Sequence, residues 1–134
     1  MSGLTPGTAI LIIDDEEDFA RTLAGRLELR GLNVRFAFSG EEGLALLRSA
    51  PPDLLLLDMR MPGLSGVDTL RRLRAGEARP CPAGLPVCIV SGHAEEQNLQ
   101  EAEELGIQGY FSKPLQFSEL LDAIAKLVPA PAKR

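Results

Sequence analysis

Four consecutive leucines, Leu54–Leu57, lead directly into Asp58 and then into a Met-Pro-Gly turn at residues 61–63. A short and unbroken apolar run of this kind is typical of a strand buried on both faces, as in a parallel sheet covered by helices. We therefore expect Asp58 at the carboxyl end of a buried strand. Because ligands of open parallel sheets bind at that edge, the run predicts a functional role for this carboxylate.

Apolar runs with strand character recur along the chain and alternate with segments of helical spacing. The predicted strands cover residues 8–14, 33–38, 53–58, 85–91 and 108–112. The predicted helices cover residues 19 to about 31, 40–50, 67–75, 94–105 and 117–128. This alternation predicts an α/β fold, a single doubly wound (βα)5 parallel five-stranded sheet with helices on both faces. Arg35 interrupts the second run, which places that strand at an edge of the sheet.

The domain organisation follows from the length of the chain and the composition of its loops. A chain of 134 residues fits one domain of about 100 to 200 residues. We expect that domain to cover residues 1–128, with residues 129–134 as a C-terminal tail or a linker stub. Three prolines and two glycines predict an irregular loop over residues 76–86. The arginines near this loop are expected on a solvated helix face; they are Arg71, Arg72, Arg74 and Arg79.

The charge and hydropathy of the chain limit its partners. A net charge of -5 and a pI near 4.9 argue against a protein that binds nucleic acid by neutralising phosphates. The longest apolar runs fall far short of the roughly 20 residues that span a membrane, and no signal peptide is recognisable, so we expect a cytoplasmic protein. Cys81 and Cys88 are too few for a disulfide framework or a zinc site. We expect Cys88 in the core and Cys81 in a loop.

Polar residues follow four of the predicted strands. Because the carboxyl ends of parallel strands share one edge of the sheet, about 4.8 Å apart, these residues predict a single site. Carboxylates without His or Cys favour a hard cation, most simply Mg²⁺. A carboxylate beside a metal, an ammonium and a hydroxyl can act as a nucleophile toward a phosphoryl group. The set comprises Asp14 and Asp15 after the first strand, Asp58 after the third, Ser91 after the fourth and Lys113 after the fifth.

Each member of this set, taken alone, also fits a structural role. Asp14 and Asp15, together with the next two acidic residues, can cap a helix. Asp58 and Ser91 fit turns, and Lys113 fits a surface lysine. Their conjunction at four strand ends favours the functional interpretation.

The ordered set resembles the receiver domain of two-component response regulators. The resemblance rests on Asp14-Asp15, on the segment 58–63 with Gly66, on Ser91 and on Lys113-Pro114, and it extends from about residue 9 to residue 128. It implies a flavodoxin-like sheet with strand order 2-1-3-4-5 and a cis peptide bond before Pro114. It also implies a phosphoacceptor switch that promotes its own phosphorylation and dephosphorylation, rather than an enzyme.

The resemblance further implies a role for each residue of the site. Asp58 would accept a phosphoryl group from a phosphohistidine, and Ser91 and Lys113 would bind the phosphoryl oxygens. Tyr110 matches the aromatic switch position that moves together with Ser91. The implied Mg²⁺ ligands are Asp14, largely through water, then Asp15, Asp58 and the backbone carbonyl of Arg60. Arg60 and His93 match positions that tune the lifetime of the acyl phosphate.

The implied partners are a sensor histidine kinase or phosphotransfer protein, and a downstream effector or a missing output domain. The face formed by the fourth helix, the fifth strand and the fifth helix would carry the output, and a phosphorylation-dependent homodimer is a further partner. No direct contact with nucleic acid or membrane is expected. Three alternatives stay open: a Mg²⁺-dependent phosphohydrolase with an aspartyl intermediate, a degenerate receiver that binds partners without phosphorylation, and a flavin-binding protein of similar topology.

Overall fold

In the computed structural model, which describes residues 3–92 and 96–128, five strands alternate with five helices. The strands are β1 (Ala9–Ile13), β2 (Asn33–Ala37), β3 (Leu54–Leu57), β4 (Val87–Ser91) and β5 (Gly109–Ser112). The helices are α1 (Glu17–Glu28), α2 (Gly40–Ser49), α3 (Gly66–Arg74), α4 (Glu96–Leu105) and α5 (Phe117–Leu127). The predicted alternation is confirmed. The first helix ends earlier than expected, and residues 94 and 95 of the predicted fourth helix lie outside the described residues.

Every pair of neighbouring strands is parallel, and the order across the sheet is β2-β1-β3-β4-β5. The predicted fold class and strand order are therefore confirmed. β2 lies at an edge, as Arg35 indicates, and the Arg35 guanidinium donates to the carbonyl of Ala50. β1 and β3 lie at the centre with Ile13 in register with Leu57. The residues that follow these two strands consequently meet at the same edge.

The four leucines of β3 alternate between two hydrophobic cores. Leu54 and Leu56 pack with residues of α1 and α5, whereas Leu55 and Leu57 pack with residues of α2 and α3. None of the four is more than 1% exposed, so the prediction of a strand buried on both faces is confirmed. Truncating such a leucine to alanine costs about 2–5 kcal/mol. The strand that carries Asp58 is therefore held firmly from both sides.

Residues 76–86 contain no helix or strand, as predicted, but their anchoring was not foreseen. Arg74 was expected on the solvated face, and that prediction is wrong. Its half-buried guanidinium donates hydrogen bonds to four backbone carbonyls. A guanidinium carries five N–H donors, and those removed from water require acceptors in the protein. The acceptors are Ala83 at 2.7 Å and Leu85 at 2.8 Å in the loop, and Leu105 at 3.1 Å and Gly106 at 2.7 Å at the end of α4. The other three arginines are exposed.

The two cysteines occupy the predicted positions, Cys88 in a core strand and Cys81 in the loop. Cys81 is nevertheless only 2% exposed, because the loop folds back onto the core. No helix among the described residues is long and apolar enough to span a membrane. The predicted tail, residues 129–134, lies outside the described part of the chain.

Candidate functional site

Asp14 and Asp58 are the first residues after the two central strands. The Asp58 amide donates to the carbonyl of Ile13 at 2.9 Å, and the Asp14 amide donates to the carbonyl of Ala37 at 3.0 Å. These bonds continue the sheet ladder past the strand ends and fix the backbone of both aspartates. Asp14 is 2% exposed and Asp58 is 5% exposed. The fold thus holds two carboxylates almost out of water at one edge of the sheet.

Asp15 joins these two residues in an acidic cluster. Asp14, Asp15 and Asp58 can each present one carboxylate oxygen, all within 4.8 Å of one another. Burial and then the charge of Asp14 raise the pKa of Asp58 to about 6, against the opposing effects of Lys113 and Ser91. Burial likewise raises the pKa of Asp14. Three converging oxygen ligands under mutual repulsion fit a hard divalent cation such as Mg²⁺.

Lys113 and Ser91 enter the cleft from the neighbouring strands β5 and β4. The Lys113 amide donates to the carbonyl of Ser91 at 3.0 Å, and the predicted cis bond between Lys113 and Pro114 is present. The Lys113 Nζ lies 2.8 Å from an Asp14 carboxylate oxygen. Ser91 is 1% exposed, and its hydroxyl donates to Asp58. Ser91 therefore contacts the predicted acceptor, and Lys113 lines the same cleft.

A cleft of about 350 Å³ opens above these groups, and Asp15, Asp58, Arg60, Ser91 and Lys113 are among the residues that line it. These residues belong to the predicted acceptor and metal set, and Asp14 lies buried beside Asp15 and Asp58. The cleft is open to solvent through its mouth. Tyr110 lies apart from it on β5 with 37% exposure, which leaves its ring facing outward. His93, predicted as a tuning residue, falls outside the described residues.

Gly66 allows helix α3 to begin directly beneath the acceptor. Its amide donates to the carbonyl of Met59 at 3.0 Å. A Cβ at this position would lie 2.1 Å from the carbonyl oxygen of Asp58 and 2.7 Å from the Cα of Met59. The helix start is completed by a capping box between Ser65 and Asp68. The Asp58 turn and the first turn of α3 therefore form one closely packed unit.

Sequence reasoning missed the role of Glu16. The run of acidic residues favoured helix capping, yet the Glu16 side chain makes no cap hydrogen bond to α1. Its carboxylate instead pairs with Lys113, with the Glu16 Oε1 2.5 Å from the Lys113 Nζ. The two residues are 97 positions apart. Two features of the sequence could have indicated this pair. A single lysine follows the fifth strand, and a third acidic residue follows Asp14 and Asp15 after the first strand.

Comparison with known families and proteins agrees with this geometry. A family model described as the response regulator receiver domain matches residues 10–125. Sporulation initiation phosphotransferase F of Bacillus subtilis is 32% identical over 120 residues, which cover 90% of this chain and 93% of that protein. The phosphate regulon transcriptional regulatory protein PhoB of Pseudomonas aeruginosa is 33% identical over 86% of this chain and 49% of that protein. The chain thus spans nearly all of the first relative and about half of the second.

Solved structures show the same arrangement of strands and helices. A response regulator receiver protein from Pseudomonas putida superimposes with a TM-score of 0.83 at 27% identity, over 92% of this chain and 99% of that one. A CheY-like response regulator receiver domain protein from Methanospirillum hungatei gives a TM-score of 0.80 at 30% identity, over 90% of this chain and 94% of that one. The similarity therefore extends over at least nine-tenths of this chain.

Proposed function

The chain belongs to the response regulator receiver domains of two-component systems, and we propose that it is a phosphorylation switch with Asp58 as its acceptor. The observation that carries the proposal is the convergence of a buried Asp58 with two further aspartates, and with Ser91 and Lys113 in one solvent-accessible cleft. Family membership favours this function over the phosphohydrolase and flavin-binding alternatives.

The acidic cluster fits Mg²⁺. Asp15, Asp58 and the backbone carbonyl of Arg60 would hold the ion directly, with Asp14 acting largely through water. Support comes from the converging carboxylate oxygens and from the raised pKa of Asp58, which reflects burial and the charge of Asp14. When bound, the ion supplies positive charge to the carboxylates and to the transferred phosphoryl group.

In the proposed transfer an Asp58 carboxylate oxygen attacks the phosphorus of a donor phosphohistidine. The new phosphorus–oxygen bond forms as the phosphorus–nitrogen bond breaks, and the electron pair of that bond stays on the imidazole. With its pKa at about 6, Asp58 is mostly ionised and nucleophilic at neutral pH. Lys113 and Ser91 then donate hydrogen bonds to the phosphoryl oxygens.

Release of the phosphoryl group needs only water. A water oxygen attacks the phosphorus, the acyl phosphate bond breaks, and Asp58 is regenerated together with inorganic phosphate. The chain would in this way promote both its own phosphorylation and its own dephosphorylation. Arg60, which lines the cleft, and His93 are proposed to tune this step by controlling access of water.

A groove beside the cleft suits the phosphodonor domain. It holds about 660 Å³ and is lined by apolar groups from α1 and from the loop before α5, including Phe19, Leu23 and Leu115. Lys113 lines both this groove and the acceptor cleft. A sensor kinase or phosphotransfer domain seated here would present its phosphohistidine to Asp58.

The output surface is proposed on α4, β5 and α5. Among the described side chains of α4, residues 98–105, only Ala102 is buried, so the core constrains this helix weakly. A shallow groove of about 310 Å³ runs along α5 beside Gln108. A downstream effector, an output domain or a second phosphorylated copy would bind this face.

Tyr110→Ala is expected to leave phosphorylation intact and to disconnect it from α4. Ser91 moves toward the phosphoryl group, and the Tyr110 ring, now 37% exposed, follows into the space that it leaves. We expect the phosphorylation-dependent amide shifts of residues 98–105 in NMR spectra to be largely lost in the variant. Tyr110→Phe retains the ring and should keep them. Unchanged shifts in Tyr110→Ala would exclude the tyrosine step.

The proposed function is tested by locating the phosphoryl group. The chain is incubated with Mg²⁺ and acetyl phosphate, then reduced with borohydride, which converts an aspartyl phosphate to homoserine. Peptide mass analysis should place a single modification at Asp58, and chelation of Mg²⁺ should prevent it. A modification elsewhere would exclude Asp58 as the acceptor. No modification with either acetyl phosphate or a panel of phosphorylated kinases would leave a receiver that binds partners without phosphorylation.

A further inference from the structure

Lys113 makes its close contacts away from the acceptor. Its Nζ lies 2.8 Å from an Asp14 oxygen, 2.5 Å from a Glu16 oxygen and 4.3 Å from the centre of the Phe19 ring. Its interaction with Asp58 is a longer-range coulombic one. In the unphosphorylated protein the Lys113 ammonium therefore lies on the α1 side of the cleft.

The two carboxylates that hold Lys113 differ in their surroundings. Asp14 is buried, and its second oxygen accepts the Glu16 amide at 2.9 Å, so Asp14 cannot turn away. The Glu16 side chain is 63% exposed, so its carboxylate is solvated when the ion pair breaks. Lys113 is 12% exposed but stays paired with Asp14, so its charge is not left unpaired. Of the two ion pairs of Lys113, the pair with Glu16 is therefore the one that can break more easily.

We propose that Glu16 is a positioning residue that competes with the phosphoryl oxygens for the Lys113 ammonium and so limits the rate of phosphorylation. The inference rests on the proposed function of Asp58. During transfer from acetyl phosphate, the new bond from Asp58 to phosphorus forms as the bond to acetate breaks, and acetate leaves with the electron pair. Lys113 keeps its proton and exchanges the Glu16 carboxylate for a phosphoryl oxygen.

Glu16→Gln removes the competing charge without removing a helix cap, since the Glu16 side chain makes no cap hydrogen bond. The rate of Asp58 phosphorylation by acetyl phosphate at saturating Mg²⁺ should rise about two- to fivefold, since the pair that is lost has an exposed carboxylate and an ammonium that keeps Asp14 as a partner. The difference should shrink at high salt, which screens exposed charges. Intact mass against time measures the rate.

Glu17→Gln is the matched control. It removes the same charge one residue away, at 59% exposure, from a side chain whose ion pair is with Arg21 at 3.9 Å. If Glu16 acted only by repelling the anionic donor from the mouth, both variants would accelerate the reaction alike. We expect the Glu17 variant to keep the wild-type rate.

A second readout does not depend on phosphorylation. The Phe19 ring lies against the Lys113 ammonium, so ring currents shift the NMR signals of the terminal methylene of Lys113. In Glu16→Gln these signals should move toward the values of a free lysine, and in Glu17→Gln they should not.

The outcomes separate the two proposals. A wild-type chain that accepts phosphate on Asp58, with a Glu16→Gln rate equal to that of wild type or of Glu17→Gln, overturns this inference alone. Unchanged Lys113 signals in Glu16→Gln overturn it as well. A wild-type chain that accepts no phosphoryl group overturns the function of Asp58 and this inference with it.

Discussion

Gly66→Ala is expected to destabilise the fold by about 3 kcal/mol and to slow phosphorylation of Asp58 more than about tenfold. The new Cβ would lie 2.1 Å from the Asp58 carbonyl oxygen and 2.7 Å from the Met59 Cα. Both neighbours are backbone atoms, so neither can turn aside as a flexible side chain would. The clash can be relieved only if α3 or the Asp58 turn moves. Either movement displaces Asp58 from Ser91 and from the other aspartates.

Urea unfolding and the acetyl phosphate assay measure the two effects. Gly25→Ala is the control, because Gly25 lies inside α1 and its added Cβ would meet nothing within 4 Å. That variant should be more stable than wild type by about 0.5–1 kcal/mol, since alanine favours a helix over glycine, and should be phosphorylated normally. A Gly66→Ala protein as stable and as reactive as wild type would show that α3 does not need this close approach.

The architecture could be predicted from the sequence because its signals are local. Each strand is an apolar run, each helix has its own periodicity, and their alternation restricts the sheet to parallel topologies. The anchoring role of Arg74 could not be predicted in this way. It depends on the loop and the end of α4 coming together around one guanidinium, and Leu105 is 31 residues away along the chain. No local pattern encodes such a meeting.

The candidate site was predictable for a different reason. Strand ends of a parallel sheet share one edge, so Asp14, Asp58, Ser91 and Lys113 had to lie near one another once the strands were recognised. Their detailed pairing was not predictable, because several carboxylates stand within reach of a single lysine. The choice of Glu16 as its partner depends on rotamers at the loop before α1. Roles for His93 and Tyr110 stay predictions.

Asp58→Asn is expected to abolish the phosphoryl adduct and, at the same time, to stabilise the metal-free protein. The pKa of Asp58 rises from 3.8 to about 6 on folding, through burial and then the charge of Asp14. At about 1.4 kcal/mol per unit, ionising this carboxyl costs the folded state about 3 kcal/mol. Asparagine carries no charge, and its side-chain oxygen can still accept the Ser91 hydroxyl. The acceptor is thus a source of instability that its function requires.

The pH dependence gives the sign of this effect. Folding raises the pKa of Asp58 from 3.8 to about 6. The free-energy cost of ionising Asp58 in the folded state is therefore absent below the unfolded pKa of 3.8. It grows between the two pKa values and is complete above the folded pKa. Asp58→Asn should therefore gain up to about 3 kcal/mol at pH 7.5 and about half of that at pH 5. Mg²⁺ should stabilise wild type more than the variant, because it binds the ionised cluster. Urea unfolding measures the change in stability, and Asp122→Asn, at an exposed position on α5, is the control. An Asp58→Asn protein no more stable than wild type at pH 7.5 would show that folding does not raise the pKa of Asp58.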